Sequence, residues 1–226
     1  MTFLQMRGGV QRGHSRRFAW QVLVLLAGLL AGGCTADSPL AAPVRSTPAE
    51  PRFAVAYDSY LGDADGVAVY SNGSTTYFSN VQYTISNYTG GSYSTGYKWQ
   101  CVEFVVRYYW LKYNLKIRDG HANTFFRDAE IKGLNRYENG GVVAPQVGDI
   151  LVSEAGLHGH VAVVRAVGPD YVIVAQQNLA NASNDVSTRM AMTFRWYYPP
   201  VGPPSPSYRV AGFNSNLPVR GWVRRR

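Results

Sequence analysis

Only two cysteines, Cys34 and Cys101, occur in the 226 residues, so a disulfide scaffold is excluded. No acidic residue stands ahead of Cys34, where Arg7, Arg12, Arg16 and Arg17 do, so the formal charge of +8 falls to +4 from Cys34 onward. Three of the remaining bases are the terminal Arg224, Arg225 and Arg226, which leaves no basic stripe for nucleic-acid phosphates. No GxxxxGK[ST] loop, no internal repeat and no spaced His/Cys set are found, against nucleotide-phosphate, solenoid and structural-zinc readings. The one long apolar run, FAWQVLVLLAGLLAGG, is short for a comfortable membrane span. What is present is 46% apolar residues, with 16 Tyr and 5 Trp, enough for one well-buried domain and against wholesale disorder.

A basic start, that apolar run and then Cys34 make residues 1–33 an export signal. Leu30-Ala31-Gly32-Gly33-Cys34 resembles a bacterial lipobox, with Ala31 where Leu is usual, which predicts a lipid on Cys34. Ordinary cleavage with release, or an uncleaved anchor, are the alternatives. Thr35-Ala36 after the cysteine lacks the Asp that often marks inner-membrane retention, which leans toward the outer membrane. Residues 34–52, rich in Pro, Ala and Ser, read as a tether, and the folded domain is expected over 53–226. With Cys34 lipidated, Cys101 is a lone thiol in an oxidising compartment, which calls for burial or for chemistry.

Within the domain, the Gly-, Ser-, Asn- and Tyr-rich stretch up to Gln100 reads mostly as loop, with a short strand at 67–70 closed by Asn72-Gly73. Residues 101–114, free of Gly and Pro and with widely separated polar positions, predict a buried helix. A second helix is expected over 122–132, stopped by Gly133. Short Val-rich runs at 150–152, 160–167 and 171–178, joined by tight turns, predict an antiparallel meander, with later strands at 193–197 and 221–223. The fold class is α+β.

Cys101 opens the long helix, where unpaired N–H groups and the dipole favour a thiolate. His160 opens the strand HVAVVRAV behind Gly159, and alternation puts Gln176 and Asn178 at the polar end of the next strand's row. A hairpin would bring Gln176 or Asn178 to the second ring nitrogen of His160, leaving the first to take a proton from Cys101. Each residue alone has a plainer reading: a buried thiol, a structural histidine, a solvated glutamine, a turn asparagine. Their joint placement favours catalysis. His158, two residues before His160, has no neighbours that complete a metal set, and Asp119 and His121 read as residues leading into the second helix.

The blocks GYKWQCVEFVVRYYWLKYN, PQVGDILV, GHVAVVRAV and VIVAQQN resemble the CHAP family of papain-like cysteine amidohydrolases and peptidases. YLGDADGVAVYSNG and the closing GWV are similar to its branch of glutathionylspermidine amidase domains, so the resemblance spans about residues 57–223. It implies a papain-like CHAP fold, with N-terminal helices packed on a small antiparallel β-sheet, and amide hydrolysis through an acyl-enzyme without a cofactor. It assigns Cys101 as nucleophile, His160 as general base and Gln176 to the place of a Glu that orients the histidine. Asn178 becomes the polar partner beside it, and Gln100 a helper of the oxyanion hole. Two departures stand out: Gln176 carries no charge, and Val106 replaces the first of two arginines usual in the glutathionylspermidine branch, leaving Arg107. Joined to an export signal, these residues lead to the expectation of a monomeric, lipid-anchored or secreted hydrolase of peptidoglycan amide bonds. A glutathionylspermidine-type small-peptide amidase and a noncatalytic envelope-binding lipoprotein are the alternatives.

Overall fold

The computed structural model describes residues 55–117 and 120–226. The expected export signal, Cys34 with its lipid, the tether 34–52 and the Arg118-Asp119 pair lie outside the described residues. Among the described residues no helix is long and apolar enough to cross a membrane.

Two hairpins occupy the stretch expected to be mostly loop. β1 (Tyr60–Ala64) pairs antiparallel with β2 (Val67–Tyr70) across Asp65-Gly66, whose φ values of 54° and 81° make the two-residue turn that matches strand twist. The Asp65 carboxylate accepts from the Tyr108 hydroxyl at 2.8 Å and pairs with Arg165, tying the turn to the body of the domain. β3 (Gln82–Ser86) pairs with β4 (Ser92–Tyr97). Composition hid these strands because Gln, Ser and Thr fill their open faces, while Tyr83, Ile85 and Tyr93 supply only a partly buried row.

α1 (Cys101–Tyr113) is buried continuously from Cys101 to Trp110, held between the hairpins and the main sheet. Its β-branched valines lower intrinsic helicity, so packing must supply its stability. Asn114, at φ 52°, ends it with N–H bonds back to the last turn. The expected second helix is absent: a 3₁₀ turn at Ala122–Thr124 runs into successive turns that stop at Gly133. Ala122, Phe125, Phe126 and Ala129 keep helical spacing toward the core. The segment is irregular: the Asn123 N–H goes to the His158 carbonyl, and the Lys132 N–H is shared between the carbonyls of Asp128 and Ala129. Ile131 is exposed.

Next come β5 (Leu134–Glu138), β6 (Ile150–Ser153), β7 (His160–Val167), β8 (Tyr171–Ala175), β9 (Thr188–Tyr197), β10 (Ser205–Val210) and β11 (Gly221–Arg225). They form one antiparallel seven-stranded sheet in the order β10-β9-β8-β7-β6-β11-β5. The sheet is larger than expected, and among the described residues one α-helix, not several, packs on it. The architecture is α+β, a central helix against a curled antiparallel sheet, as a papain-like CHAP fold requires. β11 inserts between β5 and β6, and its Arg224 makes a two-pronged ion pair with the buried Asp149 at 2.7 and 2.8 Å, so this residue is no loose tail charge.

Both sheet faces are covered, which explains the Val-rich strands. Ile150, Val152, Val161, Val163 and Val223 face α1, while Leu151, Ala162, Val164, Val172, Val174 and Trp222 pack on the opposite side. Each such Val, Leu or Ile side chain contributes about 1.5–3 kcal/mol of burial. Gly159, at φ 70°, leads into β7, and a Cβ there would sit 2.6 Å from the Asn123 nitrogen and collide with the Ser153 carbonyl. This close approach sets where His160 begins its strand.

Candidate active site

The first turn of α1, the start of β7 and the chain leaving β8 meet along a groove of about 790 Å³. Cys101, His160, Gln100 and Asn178 all line it. Tyr77, Phe78 and Tyr97 form one wall, and the stacked rings of His121 and His158 (5.6 Å between centroids) stand at another part of the rim. Its volume is that of a small-ligand cleft.

His160 is buried and fixed on two sides. Its Nε2 lies 2.9 Å from Gln176 Oε1, and Phe213 sets its ring edge-to-face at 4.7 Å. Burial holds the imidazole neutral, pushing its pKa down to about 4 against the smaller upward pull of Gln176. Because Gln176 Oε1 only accepts, Nε2 carries the proton and Nδ1 is left as the basic nitrogen.

The thiol departs from expectation. Helix-start N–H groups do reach toward sulfur, from Cys101 itself and Val102, joined by the N–H of Val161 on β7. Burial outweighs them and pushes the Cys101 pKa up to about 11. At neutral pH Cys101 is therefore a thiol and His160 a neutral imidazole, so attack by this sulfur would require a proton transfer. The contact with Val161 also places the sulfur beside the peptide that follows His160.

Gln176 takes the place at the histidine, as one of the two residues considered for it. Asn178 does not: β8 ends at Ala175, Asn178 adopts φ 61°, and the alternation that put both on one face no longer applies. Its side chain instead donates to Gln100 Oε1 at 2.9 Å and accepts from Asn72 Nδ2 at 3.0 Å. Gln100 Nε2 in turn reaches the Tyr77 carbonyl at 3.2 Å and Asn72 Oδ1 at 3.3 Å. Both Gln100 hydrogens are thus occupied by long bonds, and it assists an oxyanion only by releasing one. The backbone N–H groups at the start of α1 have no carbonyl one turn earlier in the helix, and they are the more direct donors.

Several contributors were not recognised from sequence. Asn72, taken as a turn former, is fully buried and also donates to the carbonyls of Ser74 and Tyr77. Just after Cys101 on α1, Glu103 accepts from Arg107 at 2.7 Å, Thr95 at 2.9 Å and Gln177 at 3.1 Å. Arg107 reaches on to the Ala68 carbonyl and Gln177 Oε1, with the Trp99, Phe104, Tyr70 and Tyr83 rings around its guanidinium. This network ties β2, α1 and the residue after Gln176 together. An i,i+4 Glu–Arg pair on a buried helix was its only sequence signal. Val106 is fully buried in the core under the sheet, so the Val106 departure changes packing and not a groove contact.

The CHAP domain family profile matches residues 92–178, which include Cys101, His160, Gln176 and Asn178. The bifunctional glutathionylspermidine synthetase/amidase of Escherichia coli (strain K12) is 32% identical over 100 residues, 38% of this chain and 16% of that protein. The glutathionylspermidine synthase of Crithidia fasciculata is 33% identical over 159 residues, 55% of this chain and 21% of that protein. The chain thus spans about a sixth to a fifth of the length of these curated relatives. Fold, buried cysteine and family profile agree: the chain contains a CHAP cysteine-amidohydrolase domain, linked by weak homology to the glutathionylspermidine-amidase branch.

Proposed function

We propose that this protein hydrolyses an amide bond of a small peptide conjugate through an acyl-enzyme on Cys101. The observation that carries the reading is the groove lined by both a helix-start thiol and a histidine whose Nε2 is committed to Gln176. His160 Nδ1 accepts the thiol proton as sulfur attacks the carbonyl carbon, and backbone N–H groups at the start of α1 receive the developing oxyanion. The C–N bond then breaks, the amine leaves with the proton returned by His160, and water releases the acid by the same base. The proposed roles are Cys101 as nucleophile, His160 as base and Gln176 as orienter. Gln100 and Asn178 shape the groove.

The two glutathionylspermidine relatives favour a γ-glutamyl-type peptide amide as substrate. A second reading, cleavage of peptidoglycan amides by an exported and lipid-anchored enzyme, is favoured by the export-signal pattern of residues 1–33 and by Cys34. Mass spectrometry of products from the two substrates, with the full chain and its Cys101→Ala variant, separates them. Cys101-dependent release of amine from the small amide supports the first reading, and soluble wall fragments support the second. No Cys101-dependent product from either overturns the hydrolase.

A further inference from the structure

Gln176 poses a problem that a carboxylate in its place would not. A glutamate offers His160 an acceptor whichever way it turns, whereas a glutamine turned over would present an N–H, force the proton onto Nδ1 and remove the base proposed to take the Cys101 proton. Something must decide the orientation. The Gln176 main chain is held by its own N–H to the Asp185 carbonyl at 2.8 Å, but that bond says nothing about the amide.

We infer that Thr188 is a positioning residue that holds Gln176 in the one orientation compatible with a basic Nδ1 on His160. The chain of donors is fixed at its far end by a group that can only accept. The Thr188 hydroxyl donates to the Asn184 carbonyl at 2.6 Å, so its only proton is spent. Thr188 Oγ1 is then an acceptor toward Gln176, and takes a bond from Nε2 at 3.1 Å. With the NH₂ group directed to Thr188, the carbonyl oxygen must face His160, where it stands 2.9 Å from Nε2. That oxygen requires Nε2–H, and Nδ1 stays unprotonated. A backbone carbonyl in the turn Ser183–Val186 therefore sets, through a hydroxyl and an amide, which ring nitrogen is basic. Every link is neutral, so the relay selects a tautomer without stabilising an imidazolium. The inference rests on the proposed roles of His160 and Gln176.

The test is Thr188→Val in the full chain, with Thr188→Ala as a second way of removing the hydroxyl and Thr188→Ser as the conservative rescue. Imidazole ¹⁵N NMR reads the tautomer of His160 directly, and steady-state kinetics on a Cys101-dependent amide substrate reads its consequence. Valine and alanine should turn a single Nε2–H form into a mixture with Nδ1–H and lower kcat roughly three- to tenfold at constant KM, the weight of one hydrogen bond. Serine should restore both. In a Gln176→Glu background Thr188→Val should leave the tautomer unchanged, because either carboxylate oxygen accepts, an outcome that a merely structural role would not produce. His160 remaining wholly Nε2–H in the valine and alanine variants overturns the relay. A tautomer shift in a protein with no Cys101-dependent hydrolysis keeps the relay and overturns the proposed function instead.

Discussion

Gln176→Glu exchanges an amide for a carboxylate of the same shape, 2.9 Å from the imidazole Nε2. An opposite charge that close to a titrating group strengthens proton binding about 10- to 1000-fold. His160, with a pKa held down to about 4 by burial, becomes a better base by that factor, while the burial that holds the Cys101 thiol up at about 11 is unchanged. The population of the thiolate–imidazolium pair at neutral pH rises by the same order. That pair stays a small minority, because the two pKa values remain several units apart, so the direct readout is the imidazole itself. Titration of the His160 ring by ¹⁵N NMR should place its midpoint about one to three pH units higher in the variant than in the wild type. Thr188 must also respond, turning its proton from the Asn184 carbonyl to the new carboxylate oxygen. A His160 midpoint unchanged within about half a pH unit, with an unchanged near-UV circular dichroism spectrum, would refute the electrostatic link between residue 176 and the imidazole.

Removing one partner of the buried ion pair leaves a charge without its counter-ion, so Arg107→Ala should cost about 3–5 kcal/mol. In a domain of this size that is a fall of about 10–15 °C in thermal midpoint by calorimetry, and a loss under 1 kcal/mol would contradict the network described around Glu103. His160 gives a pH signature in stability. Its folded pKa of about 4 lies below the ordinary 6.5, so the unfolded chain takes up a proton first and stability falls as pH drops from 6.5 to 4, by about 3 kcal/mol. Asp185 works the other way: burial lifts its pKa from 3.8 to about 6, so its contribution is greatest below 3.8 and is lost as pH rises toward 6. Urea unfolding of wild type and His160→Asn at each pH isolates the histidine, and a difference that does not vary between pH 4 and 6.5 would show that His160 titrates normally.

Much of the fold was legible because it follows from local pattern. β2 and β7 occupy the residues expected, as does α1, one residue shorter at its end, and Gly159 marks the start of the histidine strand. β1, β3, β4 and β5 escaped because their open faces carry polar residues and glycine, and β10 because prolines break the pattern at the sheet edge. The segment 122–132 misled because its apolar spacing is helical while the chain there folds as a 3₁₀ turn and successive turns.

For the candidate site the division is similar. The amino-acid sequence alone placed a cysteine at a helix start, a histidine at a strand start and two amides one strand later, since those positions depend on periodicity and turns. It could not say which amide reaches the histidine, since that depends on β8 ending at Ala175 and on the left-handed conformation of Asn178. Nor could it show that burial would override the helix-start donors at Cys101, because desolvation is a property of everything packed around the thiol and of no local segment. The contacts between Asn72 and Asn178 and between Thr188 and Gln176 join residues that only the assembled sheet and hairpins bring together, and so the tertiary structure decided the hydrogen-bond directions on which the chemistry of His160 depends.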